Sequence, residues 1–172
     1  MKPKIYRNLK FKAQGVMVHK YSFCESNSIG RGTRIWAFTH ILPNVIIGVD
    51  CNICDFVFIE NDVKIGNNVT IKSGVQLWSG ITVGSNVFIG PNVTFTNDKY
   101  PKSGDHSTPL LITIIEDGVS IGANATILPG IVIGRNSFIA AGAVVTKDIP
   151  AGVSVKGIPA TIYKQDDYHG EP

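Results

Sequence analysis

The chain has 172 residues, a single-domain length, with 44% hydrophobic residues, 18 glycines and a formal net charge of +3. So mild a charge, without a dense basic run, argues against a nucleic-acid reader, and no apolar stretch approaches the roughly 20 residues that span a bilayer. Cys24, Cys51 and Cys54 are too few and too irregular for a disulfide framework, and the opening MKPKIYRNLK lacks the apolar core of a signal peptide, so a cytoplasmic protein is expected.

The opening segment, MKPKIYRNLKF, reads as a cap. From Ile29 a bulky apolar residue then recurs at every sixth position: Ile35, Ile41, Ile47, Ile53, Ile59, Ile65, Ile71, Leu77, Val83, Ile89 and Phe95. A second inward position follows four residues after each, as at Val45, Cys51, Val57 and Val63. Met17 and Phe23 keep the same spacing, so coils are expected from near residue 13. A period of six fits neither an amphipathic helix nor an alternating strand. It predicts a solenoid of short strands and tight turns, with β-branched residues on the strands and Gly or Asn at the corners. Equal flat faces joined by equal turns close a prism, and three faces make it triangular. The pattern resembles the left-handed parallel β-helix of hexapeptide-repeat proteins, so the fold class expected is all-β, and its handedness is taken from that resemblance. Cys51 falls on an inward position; Cys51-Asn-Ile-Cys54 supplies two of the four ligands of a structural zinc, and a core role is expected instead.

After Phe95 the register is lost. Thr96 to Leu111 holds two prolines, a glycine and Asn97, Asp98, Lys99, Lys102, Asp105 and His106, which marks a loop of about residues 96–114. Long loops on rigid scaffolds tend to carry function. The hexads resume at Ile115 and continue through Ile121, Ile127, Ile133, Ile139 and Val145. The two blocks amount to nearly four coils and two more. A short tail, about residues 161–172, ends a single domain spanning residues 1–172, and the stretch from Gly157 on is the second candidate cap.

Three segments sharpen the resemblance. They are Gly32-Thr33-Arg34-Ile35-Trp36-Ala37-Phe38-Thr39-His40-Ile41; Val87 to Asp98 with Pro101-Lys102; and Ile121 to Ile127 with Ala141 to Asp148 and Gly157-Ile158-Pro159-Ala160. In this order, over roughly residues 15 to 163, they resemble the bacterial N-acetyltransferases that acetylate the 3-amino group of nucleotide-linked sugars for surface polysaccharides such as lipopolysaccharide O-antigen. Two positions depart from that family's pattern. Lys102 stands where Arg is common, keeping the charge but losing the bidentate fork, and Ser79 stands where an acid is common before Gly80.

The resemblance implies attack of a neutral sugar amine on the thioester of acetyl-CoA, with no metal. Such a site must position the amine, accept a proton and steady an oxyanion. Asp98 is the candidate to orient the amine or take its proton, and Asn97 to bond the sugar or amine; an Asx turn is the structural alternative for the pair. His40, outward beside inward Ile41, is a candidate base, and His106 a second. Released CoA thiolate is the alternative proton acceptor. Backbone amides near Ala123 and Ala141 are expected to hold pantetheine, with Lys147 and Lys156 meeting the CoA phosphates. Arg34, Glu60, Asn61 and Lys102 are candidate substrate ligands; Trp36 and Trp78 either stack on base or sugar or cover the solenoid. The family also implies a homotrimer with sites between subunits, and no nucleic-acid or membrane partner. Most directly the resemblance implies a dTDP-3-amino-3,6-dideoxyhexose as the substrate. The alternatives are a UDP-linked 3-amino uronate (UDP-2-acetamido-3-amino-2,3-dideoxyglucuronate), O-acetylation of a hydroxylic acceptor, a non-catalytic assembly protein, and a three-histidine zinc enzyme, for which only His19, His40, His106 and His169 are present.

Overall fold

The computed structural model describes residue 11, residues 14–104 and residues 109–163. Short strands stack into three parallel sheets, the faces of a triangular prism. The first face stacks Met17–Val18, Arg34–Ile35, Asn52–Ile53, Thr70–Ile71, Phe88–Ile89, Ser120–Ile121, Phe138–Ile139 and Ser154–Lys156. The second runs from Phe23–Cys24 through His40–Ile41, Phe58–Ile59, Gln76–Leu77, Thr94–Phe95 and Thr126–Ile127 to Val144–Val145. The third runs from Ser28–Ile29 to Val132–Ile133. The corner after each face takes the same ordinal.

Each strand pairs with the strand three hexads further on, as in Arg34↔Asn52 and Asn52↔Thr70. Equivalent hexad positions therefore form vertical columns at about 4.8 Å per coil. Ile35, Ile53, Ile71, Ile89, Ile121 and Ile139 make one such column and are fully buried. The inward hydroxyls are satisfied within the same frame: Thr33 Oγ1 donates to the Gly48 carbonyl (2.9 Å) and Thr39 Oγ1 to that of Cys54 (2.8 Å).

The start of the solenoid departs from the expected register. Met17↔Arg34 and Phe23↔His40 fall one position short of three hexads, whereas Ser28↔Ile46 keeps the full spacing. The residues facing the core are thus Val18 and Cys24, and Phe23 points outward, 48% exposed. Ser26 makes the shortened turn possible. Its hydroxyl donates to the Val45 carbonyl (2.5 Å) and accepts the Ser28 N–H (2.9 Å), fixing a tight side-chain turn in place of a full corner.

At the ordinary corners, the residue three after the inward one has positive φ. Asn44, Asp50, Asp62, Asn68, Asn86, Asn92, Asn124 and Asn136 take these places, with glycines. The left-handed region costs a residue with a side chain about 1–2 kcal/mol, least for Asn and Asp. Among the described residues two positions break that pattern, Phe38 (φ 57°) and Phe56 (φ 60°). Gly32 is required twice over: its φ is +78°, and a Cβ there would collide with Asp50 Oδ1.

Thr94↔Thr126 and Thr82↔Ile114 show how the loop is accommodated. Both pairs span far more chain than three hexads, so a single coil carries the whole insertion, at the second corner. The solenoid resumes in the strand Thr113–Ile115, so the excursion ends before residue 113, slightly earlier than expected. Gly80 and Gly130 make room for its return: Leu110 and Leu111 pack where their side chains would be. At the far end, Thr161–Tyr163 folds back antiparallel on Ser154–Lys156, as expected of a cap there, and Phe11 is buried at the other end, the one residue of the expected N-terminal cap among the described residues. Residues 1–10 and 164–172 lie outside them.

Two outcomes follow from this packing. Ile71→Ala, in the middle of the isoleucine column, should cost about 2–5 kcal/mol in chemical denaturation, because rigid neighbours above and below cannot close the cavity. Cys51 is buried and donates to the Gly66 carbonyl (3.2 Å), and desolvation pushes its thiol up, as it does that of half-buried Cys54. Iodoacetamide should therefore leave Cys51 of the native protein unlabelled and modify it only on unfolding; fast native labelling would contradict the assignment.

Candidate active site

The second face and the corners that bound it gather most of the polar chemistry. A shallow pocket on this face is lined by Gly74, Gln76, Trp78, Asn92, Val93, Thr94 and Phe95. Gln76 and Thr94 form its floor, pointing outward one residue before inward Leu77 and Phe95. Trp78 walls it at the second corner, where its Nε1–H donates to the Phe95 carbonyl (2.8 Å). That bond ties the wall to the residue from which the loop departs.

Several expected site residues converge at this second corner. Glu60 lies one coil before Trp78, and its Oε2 accepts the Ser79 N–H (2.8 Å). The Ser79 hydroxyl donates to the Asn61 carbonyl (3.0 Å). The carboxylate beside the Trp78-Ser79-Gly80 turn thus comes from Glu60 on the neighbouring coil, although position 79 itself carries none. Asn97 is exposed and Asp98 half-buried at the loop's first residues. Asp98 Oδ1 accepts the Tyr100 N–H (2.9 Å), an Asx turn that fixes the carboxylate against its own backbone. Lys102 is exposed further along the loop, and His106 lies outside the described residues.

Other expected residues stand apart. His40 is on the second face, outward as expected, but three coils before Thr94, about 14 Å along the axis. Its Nε2 lies 3.1 Å from Glu25 Oε1, and Phe23 and Phe58 pack edge-on against its ring at 5.2 and 5.7 Å. Within one chain, then, His40 and Asp98 do not share a site. Arg34 points outward from the first face, and Trp36 sits at the first corner with Nε1 donating to Asn52 Oδ1 (2.8 Å). Lys147 is exposed at the second corner, and Lys156 Nζ lies over the Tyr163 ring at 4.5 Å.

Ala123 and Ala141 fall one above the other at the first corner, where the chain is very thin. A Cβ on Gly90 would lie 2.7 Å from the Ala123 nitrogen, and one on Gly122 would collide with that of Ala141. The corners treat the equivalent N–H differently. At the third corner side chains cap it: Val49 N–H to Asn67 Oδ1, Asn67 N–H to Ser85 Oγ, Ser85 N–H to Asp117 Oδ1 and Arg135 N–H to Glu116 Oε2. At the first corner, among the described residues, the N–H groups of Ala123 and Ala141 have no such acceptor, because the equivalent places, Gly90 and Ala141 for the one and Gly122 and Gly157 for the other, supply no polar side chain. That corner therefore offers a smooth rail of free donors. Sequence reading missed Gln76 and Thr94, whose only signal is their place just before an inward residue.

Among the described residues no group of three metal-ligating side chains converges and no helix is long and apolar enough to cross a membrane. The bacterial transferase hexapeptide (six repeats) family matches residues 28–61, 62–97 and 112–147. The dTDP-3-amino-3,6-dideoxy-alpha-D-galactopyranose 3-N-acetyltransferase of Aneurinibacillus thermoaerophilus is 52% identical over 145 residues, 84% of this chain and 76% of that protein. The 2,3,4,5-tetrahydropyridine-2,6-dicarboxylate N-acetyltransferase of Staphylococcus aureus is 56% identical over 52 residues, 30% of this chain and 22% of that one. Among solved structures, a Bacillus cereus N-acyltransferase variant in complex with dTDP-4-amino-4,6-dideoxyglucose and coenzyme A shares the fold, at 21% identity and a TM-score of 0.58 over 91% of this chain and 88% of its own. The coil is accordingly the left-handed parallel β-helix of this group, and the chain belongs to the bacterial hexapeptide-repeat transferase family, among the sugar-nucleotide 3-N-acetyltransferases.

Proposed function

We propose that this protein is an acetyl-CoA-dependent N-acetyltransferase acting on the 3-amino group of a nucleotide-linked sugar, a dTDP-3-amino-3,6-dideoxyhexose, in the making of a surface glycan. The observation that carries the reaction and the sugar class is the 52% identity to the Aneurinibacillus enzyme over 84% of the chain. The geometry suits that chemistry. Free amides at Ala123 and Ala141 match a ligand whose arm carries amide carbonyls, and the adjacent glycines let it lie close to the backbone.

In this reading the sugar amine, neutral and desolvated, attacks the thioester carbonyl. The new C–N bond forms, the tetrahedral intermediate collapses, and the C–S bond breaks to release the CoA thiolate. Asp98, held by its Asx turn, orients the amine and takes its proton, with the thiolate as the alternative acceptor; Asn97 bonds the sugar. Trp78, Glu60 and Asn61 border the acceptor on the second-corner side, with Lys102 reaching it from the loop and Arg34 and Trp36 from the first face and its corner. Lys147 and Lys156 meet the CoA phosphates as point charges. His40, paired with Glu25, takes a substrate-binding part three coils away. A homotrimer of cytoplasmic subunits reconciles these separations: the second-corner loop of one protomer reaches the first corner of the next, so each site is shared. The described coils and the loop act as one domain.

The test is thiol release from acetyl-CoA with dTDP-3-amino-3,6-dideoxygalactose, its glucose counterpart, a UDP-3-amino uronate, or no acceptor. Release with a dTDP sugar is expected; release with the uronate alone would move the substrate assignment, and no release with any acceptor from folded protein would sink it. Asp98→Asn should lower kcat by about 10²-fold while leaving the KM for acetyl-CoA within about a factor of two. Ala141→Pro deletes one rail donor at a hexad position that already holds Pro43, Pro91 and Pro129, so the fold should tolerate it. It should raise the KM for acetyl-CoA by about three- to ten-fold, as expected for the loss of one hydrogen bond.

A further inference from the structure

Down the first corner, the positive-φ column reads Phe38, Phe56, Gly74, Asn92, Asn124 and Gly142. Tyr21, Phe38 and Phe56 stack there, with ring centroids 5.8 and 5.2 Å apart and planes within 5° and 13° of parallel. The three rings are 59%, 57% and 62% exposed. At Phe38 and Phe56 the chain accepts bulky residues in a backbone region otherwise filled, among the described residues, only by Gly, Asn or Asp. Neither ring gains burial from that strain. Such local conflicts concentrate at functional sites.

What surrounds the ladder says what it would hold. Phe56 is its last ring, because the next corner residue is Gly74, which has no side chain. Gly74 also lines the pocket, together with Asn92. Lys72 flanks that same turn. Lys72 and Arg34 both lie close enough to Cys54 for their charges to act on its thiol, against one carboxylate, Asp55. Along one edge of the prism the order is therefore flat aromatic rings, then a net positive turn, then the pocket, then the free amides of Ala123 and Ala141. From Phe56 to Asn124 is three coils, about 14 Å.

We propose that the first corner carries the acceptor's nucleotide, with the nucleobase stacked on Phe56 and the diphosphate against Lys72, so that the amino sugar hangs into the pocket beside Asn92. This rests on the nucleotide-aminosugar reading and assigns it a platform and a direction. Every base has a π-face, so the ring stack gives affinity with little base discrimination. Lys72 meets the diphosphate as a mobile point charge. Phe38 acts through Phe56, holding its ring flat.

The decisive variant is Phe56→Asn, which installs the residue that neighbouring corners use and so removes backbone strain. Its thermal midpoint should not fall. Its KM for dTDP-3-amino-3,6-dideoxygalactose and its Kd for dTDP alone should rise about ten-fold or more, the usual loss from one stacked ring, with the KM for acetyl-CoA unchanged. Phe56→Tyr, which keeps the ring, should recover most of the affinity that Phe56→Asn loses, and Lys72→Ala should weaken dTDP without affecting thymidine. An acceptor KM within about two-fold of wild type in Phe56→Asn overturns the proposal. So does a change that appears only with loss of the native oligomer in size-exclusion chromatography, which would make the ladder an interface between copies. Wild-type protein that transfers no acetyl group yet binds dTDP in a Phe56-dependent way would sink the aminosugar reading and leave the platform standing.

Discussion

The backbone hydrogen-bond ladder between coils is the constraint on which the rest depends. Because each strand pairs with the one three hexads away, whatever chemistry a hexad position carries is repeated or contrasted directly above and below it. An inward position becomes an isoleucine column. A corner position becomes a column of left-handed residues, and the side chains beside it decide whether that corner's amides are capped or open. Function is thus written along the prism edges rather than in a deep cavity.

The three corners show how one scaffold yields three surfaces. Asn67, Ser85, Asp117 and Glu116 close the third corner with side-chain to backbone bonds, giving it a structural character. The second corner gives up its coil continuity to the loop, anchored by Trp78 on the Phe95 carbonyl and by Leu110 and Leu111 against glycine gaps. The first corner leaves the Ala123 and Ala141 amides free among the described residues and grades from aromatic to cationic to smooth. An acyl transfer between two long substrates needs such open edges, since positioning supplies much of the rate enhancement.

Much of this was legible in the sequence. Six-residue spacing tells which residues face inward without reference to any partner, and Gly or Asn marks many of the corners, though not those at Phe38 and Phe56. The same logic put His40 on an outer face and Cys51 in the core. It failed at Phe23 and Met17, because one residue is missing between Cys24 and Ile29 and a serine turn absorbs the difference. A shortened step is invisible to a period of six when apolar residues happen to sit on both registers.

The coil, its core, the place of the interruption and the family can all be read along the chain, since each follows from local spacing or from motifs taken in order. Which of these residues meet cannot, because contact between coils depends on how the ladder stacks them. Glu60 and Ser79 are far apart in sequence and become partners because the ladder sets them one coil apart; His40 and Asp98 both invite an acid–base role, and the same ladder holds them three coils apart. Which amides stay free is equally a tertiary matter, because an N–H is capped only when the neighbouring coil brings a polar side chain against it.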